Sequence, residues 1–127
     1  MRSRYIDVDG KWGVVINYNF NFSDSEEMAG IMDSFGVGEQ RINKSLRILS
    51  EVNTGMAISR DDIRMSTIFI GDASSVEQWW DTCTHELIHV WNAICDYYDV
   101  PKDSEEGAWT FGYLMRKTVE KIAVPCV

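Results

Sequence analysis

The chain has two histidines, and both stand in one short stretch, "THELIHVWNAICDYY", residues 84 to 98. His85 and His89 are four apart, and Glu86 directly follows the first of them. On an α-helix, residues at that spacing share a face, with Cβ atoms roughly 5–6 Å apart. Two imidazoles placed in this way can converge on one Zn²⁺ at about 2.0–2.1 Å per bond. Glu86 sits one position round the helix. It is too displaced to ligate beside its neighbour, but it can hold a water on the metal. The alternative is a pair of histidines on a core-facing helix, satisfied by backbone carbonyls. The metal is favoured because both imidazoles of the chain fall within one five-residue pattern.

Two histidines do not complete a zinc site, and a third protein ligand is required. No histidine remains, and residues 90–95 read "VWNAIC", which rules out a third histidine close behind the pattern. The candidates are the carboxylates of "DSEEGAW", Glu105 and Glu106, which follow His89 by 16 and 17 residues. Ala108 and Gly112 lie at +3 and +7 from Glu105, on one helix face. Small residues there would allow the close approach that a short carboxylate needs. Glu106 has a competing role, closing a capping box with Asp103. Glu105 is therefore preferred as third ligand, with Glu106 as the alternative. Both could instead simply stabilise a helix N-terminus. A helix continued to Tyr97 ends about 12 Å beyond His89. The seven residues Tyr98 to Ser104 span at most about 23–25 Å, so the chain can return to the metal.

The surrounding elements can be read from periodicity and punctuation. In "KWGVVINYNFNF", Trp12, Val14, Ile16, Tyr18, Phe20 and Phe22 alternate with smaller or polar residues, the pattern of a half-buried strand. "RYIDV" precedes it as a shorter strand, and Asp9-Gly10 predicts a two-residue hairpin. Ser23 or Asp24 caps a helix carrying Met28, Ile31, Met32 and Phe35, which Gly36 and Gly38 end. A second helix covers "EQRINKSLRILSEV", with Ile42, Leu46, Leu49 and Val52 as its apolar stripe, and stops at Gly55. "MAIS" and "MSTIFI" are strands separated by the charged turn "RDDIR". Ser74 with Glu77, or Ser75 with Gln78, caps a long helix running to about Tyr97, and Pro101 blocks its continuation. Asp103 with Glu106 opens the last helix, "EEGAWTFGYLMRKTVEKI". The order of strands, two helices, strands and two helices predicts an α+β domain.

Length and composition bound the function. The 127 residues suit a single domain over 1–127 with a sizeable core. Net charge is 12 − 20 = −8, with no basic block. That argues against a nucleic-acid partner, which needs a cationic stripe, and against an anionic membrane surface. No apolar run follows the charged start "MRSRYIDVDG", so no signal peptide is expected. No stretch is long and apolar enough to span a bilayer. The three cysteines are Cys83, Cys95 and Cys126, and an odd number does not suggest a disulfide framework. Cys83 and Cys95 on one helix would lie about 18 Å apart, beyond the reach of a bridge. The cytoplasm, or the interior of a host cell, is the expected compartment.

The pattern His85-Glu86-x-x-His89 with a downstream glutamate resembles the gluzincin metallopeptidases in their smallest form. The longer run "NTGMAIS", "MSTIFIG", "THELIHV" and "DSEEGAWTFGYL" is similar to small zincin-like proteins of bacteriophages and gut Bacteroidetes. The resemblance covers roughly residues 53–115, and the first fifty residues show no such likeness. It implies a minimal zincin-like domain with Zn²⁺ held by His85, His89 and Glu105 or Glu106, and Glu86 catalytic. It also implies a peptide or protein substrate in a bacterial or phage-infected cell. In that chemistry Zn²⁺ lowers the pKa of its water to near 7 and polarises the scissile carbonyl. Glu86 takes the proton and later passes it to the leaving amine. Tyr97, Tyr98, Tyr113 and Arg64 are candidate donors to the oxyanion. Asp81, Asn92 and Asp96 are candidates to orient an imidazole. "MSTIFI" would be either an ordinary strand or an edge that pairs with an extended peptide. A zinc-stabilised structural or interaction module without turnover is the competing expectation, and a metal-free α+β binding module is the other.

Overall fold

The computed structural model describes residues 1–122, and Cys126 lies outside them. The predicted α+β class holds: four strands form one mixed sheet, and four α-helices pack on it. In chain order these are β1 (Arg2–Val8), β2 (Trp12–Tyr18), α1 (Ser25–Ser34), α2 (Glu39–Leu49), β3 (Gly55–Arg60), β4 (Met65–Ile70), α3 (Val76–Tyr98) and α4 (Glu105–Lys121). A short 3₁₀ turn, Phe22–Asp24, precedes α1.

The sheet order is β1-β2-β4-β3. β1 and β2 form the expected hairpin, and Val8 faces Trp12. The connection is therefore three residues rather than two. Asp9 and Gly10 both take positive φ (53° and 69°), and the Lys11 N–H closes the turn on the Val8 carbonyl at 2.9 Å. β4 lies parallel to β2 and antiparallel to β3. The sheet thus places "MSTIFI" inside, paired on both sides, and leaves β1 and β3 as the two edges. The alternative of β4 as a peptide-pairing edge is excluded by this order.

The alternating side chains of β4 show how the layers are built. Ile68 and Ile70 point into one cluster with Trp79, Cys83, Leu87, Val90 and Ile94 of α3 and Leu114 of α4. Phe69 points the opposite way, into a second cluster with Met28 and Met32 of α1 and Ile42 and Leu49 of α2. The two helix pairs therefore cover opposite faces of the sheet. Burial on both faces explains the consecutive apolar residues Ile68, Phe69 and Ile70 at the end of β4, since strands covered on two sides lose the alternation of half-buried ones.

Several boundaries differ from expectation. β2 stops at Tyr18 because Asn19 adopts a left-handed conformation (φ 55°), which Asn tolerates better than most residues. Phe20 and Phe22 consequently leave the strand, and Phe22 is 93% exposed. Asn21 caps the 3₁₀ turn, and Asp24 precedes α1 without a side-chain cap bond. α2 ends at Leu49, so Val52 is exposed rather than part of the stripe. The last helix is capped by Ser104, whose Oγ accepts from the Gly107 N–H at 3.1 Å, not by Asp103. Gly107 explains the shift: a Cβ there would sit 2.6 Å from the Pro101 carbonyl oxygen. The chain before the helix therefore folds tightly onto its first turn.

Candidate metal centre

α3 carries the site, and its start is specified locally. Ser75 caps it, accepting from the Gln78 N–H at 3.1 Å. The apolar positions 79, 83, 87, 90 and 94 recur at helical spacing and lie against the sheet. His85 and His89 fall on the flank of that stripe. Both are exposed, and the His85 side chain is 69% accessible. Glu86 is turned inward and only 6% exposed. The helix thus presents two imidazoles to solvent with a buried carboxylate beside them.

Ligand atoms of His85, Glu86 and His89 all lie within 4.8 Å of one another, and among the described residues they form the group able to hold a metal ion. The imidazole rings meet edge to face, with centroids 5.0 Å apart. His85 Nε2 is 3.8 Å from Glu86 Oε1. Burial pushes the Glu86 carboxyl above its ordinary range, and the neighbouring imidazoles pull it partly back. Desolvation disfavours the ionised acid while nearby positive charge favours it. A cation at the histidines would act in the same direction as those imidazoles. Two imidazoles and one carboxylate are a chemically suitable donor set for Zn²⁺.

Glu86 rests on β3. A Cβ at Gly55 would stand 2.8 Å from Thr82 Cγ2 and 3.0 Å from Glu86 Cγ. The sequence punctuation predicts Gly55 as the stop of α2. It opens β3 instead, and its missing side chain lets α3 lie against the edge strand at the height of Glu86. Thr82, one turn before Glu86, is buried at the same contact. Nothing in the local sequence signalled this pairing, although a glycine inside a strand pattern is a general sign of close approach.

The downstream carboxylates are placed differently. Neither Glu105 nor Glu106 belongs to the ligand group. The Trp91 indole Nε1–H donates to the Gly107 carbonyl at 2.8 Å, and Trp91 also packs against Phe111. α4 is therefore docked on the Trp91 flank of α3. Trp91 is two residues beyond His89, about 200° round the helix. The face of Glu105, Ala108 and Gly112 is exposed, and a Cβ at Gly112 would meet nothing within 4 Å. The small residues there serve no close packing.

Several of the remaining candidates are occupied elsewhere. The Tyr98 hydroxyl donates to the Lys11 carbonyl (2.6 Å) and the Tyr113 hydroxyl to the Asp7 carbonyl (3.2 Å). Tyr97 packs edge-on to Trp12. Arg64 lies in the β3–β4 turn with φ 52°. Asp96 is paired with Lys102 at 2.8 Å, while Asp81 is exposed and Asn92 half-buried. Cys83 and Cys95 are free and buried. Burial, with the Glu86 charge adding to it, pushes the Cys83 thiol up to about 12.

No family model, curated protein or solved structure matches this chain. The resemblance to gluzincins therefore rests on the sequence residues quoted above alone. No helix among the described residues is long and apolar enough to cross a membrane.

Proposed function

We propose that this chain is a zinc-dependent metallopeptidase in which His85 and His89 supply two of the three protein ligands that zinc requires and Glu86 is the general base. The observation that supports it is the pairing of two exposed imidazoles with a buried carboxylate on one turn of α3. The metal, when bound, would supply Lewis acidity to a carbonyl and lower the pKa of a water. The chain's own residues do the rest. His85 and His89 fix the cation at the solvent face of α3. Glu86, held against Gly55, accepts a proton at its carboxylate and returns it to the leaving amine. β3 beside it offers an edge whose unpaired backbone groups can hydrogen-bond an extended peptide.

One observation favours a zinc-stabilised structural site instead. With Glu105 and Glu106 outside the group, Glu86 is the carboxylate nearest to the histidines, and a ligand cannot also serve as the base.

Glu86→Gln separates the two. Zinc affinity is measured by chelator competition, and cleavage of a peptide library is followed at matched zinc content. As base, Glu86→Gln leaves zinc bound while cleavage falls by roughly 10²–10⁴. As ligand, the same change weakens zinc. Cleavage unchanged in the variant would overturn the peptidase assignment.

A further inference from the structure

A second site lies on the other face of the sheet. A cavity of about 750 Å³ opens between the β2–α1 connection and α2, with Asp72 on its border. It lies near the carboxyl ends of β2 and β4. β2 and β4 are adjacent and parallel. The helix after β2 packs on one face and the helix after β4 on the other. Adjacent parallel strands whose connections leave to opposite sides open a crevice at their carboxyl ends, which is where open α/β sheets bind ligands. Phe20 lies just beyond the end of β2 at Tyr18, Phe22 opens the 3₁₀ turn after it, and Asp72 lies just beyond the end of β4 at Ile70.

The lining combines an apolar body with two free charges. Phe20, Phe22, Met28, Leu46 and Leu49 supply the apolar part. Phe22, 93% exposed, is an aromatic ring left in water at the mouth. Arg47 and Asp72 also line the cavity, and neither takes part in an ion pair among the described residues. An apolar wall with one unpaired cation and one unpaired anion is complementary to a zwitterion with an apolar body. The volume lies within the roughly 300–1,000 Å³ of small-molecule sites, ample for two or three residues.

The geometry points to a binding site for short apolar peptides with free termini: the α-carboxylate on Arg47, the α-ammonium on Asp72 and the side chains on the apolar wall. This site is independent of the metal centre. The guanidinium fork matches a carboxylate in a bidentate manner.

The test is calorimetric titration of the full chain, in chelator, with the dipeptide Leu-Phe, its C-terminal amide and its N-acetyl derivative. Chelation removes binding through a metal at His85 and His89. Wild type is expected to bind Leu-Phe saturably and each blocked form about tenfold more weakly, the discrimination of one charged hydrogen bond. Arg47 and Asp72 are exposed, so Arg47→Gln and Asp72→Asn preserve the fold. Arg47→Gln should bind the free acid and the amide equally, and Asp72→Asn the free amine and the acetylated form equally. Absence of saturable binding by wild type overturns the site. Variants that keep the wild-type preferences, or loss of only one preference, overturn the zwitterion assignment.

Discussion

Gly55→Ala tests how closely the metal-bearing helix rests on the edge strand. The new methyl would lie 2.8 Å from Thr82 Cγ2, 3.0 Å from Glu86 Cγ and 3.2 Å from the Phe69 carbonyl oxygen. Carbon atoms settle at about 3.5–4.0 Å, so Thr82 must retreat by roughly 0.7 Å. Overpacking of this kind costs about 1–3 kcal/mol. Alanine in place of glycine at an unstrained position returns about 0.4–1 kcal/mol by restricting the unfolded chain. The expected net loss is about 1–2 kcal/mol. In a chain of this size that corresponds to a Tm roughly 4–8 °C lower. Both histidines travel with α3, so zinc stoichiometry should persist. If cleavage depends on Glu86 facing β3, a displacement approaching 1 Å should lower it by about 10². Thr82→Ser removes the nearest methyl, and Gly55→Ala/Thr82→Ser should recover part of the lost stability. Urea unfolding of the four proteins gives the coupling between the two sites. A Gly55→Ala protein at least as stable as wild type, or a double variant with simply additive losses, would refute the close contact.

His85→Ala and His89→Ala should each abolish stoichiometric zinc without unfolding the chain, because both side chains are exposed; full occupancy in either, by mass spectrometry, would exclude the site. Glu105→Gln and Glu106→Gln should leave zinc affinity unchanged, since α4 docks on the far flank of α3; a large loss in one of them, by chelator competition, would show that α4 reaches the metal. Ser104→Ala should cost about 1 kcal/mol in urea unfolding, the ordinary worth of an N-cap, and Asp103→Ala much less. Cys83, pushed up to about 12 by burial, should resist alkylation at pH 8 in the native protein and react on unfolding, as read by peptide mass spectrometry.

The helices and strands were legible because each carries its own period and its own stop. Ser75 and the 79-83-87-90-94 stripe announce α3 without reference to anything distant. The order of the strands was not legible. Nothing within "MSTIFI" states that β2 and β3 flank it; only Ile68-Phe69-Ile70 form a consecutive apolar run, too short to show two-sided burial. The same limit applied to caps. Asp103 and Ser104 are both competent, and the choice is made by the packing of Gly107 under Pro101. At the site, the shared face of His85 and His89 follows from helical geometry alone, but the approach of the Glu86 carboxylate to within 4.8 Å of both imidazoles does not. The placement of Glu105 did not, because it depends on which flank of α3 receives α4. That flank is set by the Trp91–Gly107 bond and its neighbours, a contact across 16 residues. The second cavity is not legible in the sequence because the alternating pattern runs on to Phe22, and only the left-handed turn at Asn19 releases those rings to line it.

α3 runs unbroken for 23 residues, and His85 and His89 are its tenth and fourteenth. Frayed ends typically reach only a turn or so inward, and the inner side of this helix is the floor of the larger core. The backbone amides around the histidines should therefore exchange with deuterium only through openings that dismantle the domain. A cation bound there would slow that exchange across α3, β2 and β4 together, since whatever holds only the closed form lowers the population of every opening that releases it. Protection that rose around residues 85–89 alone would mean instead that this turn opens independently of the rest of the helix.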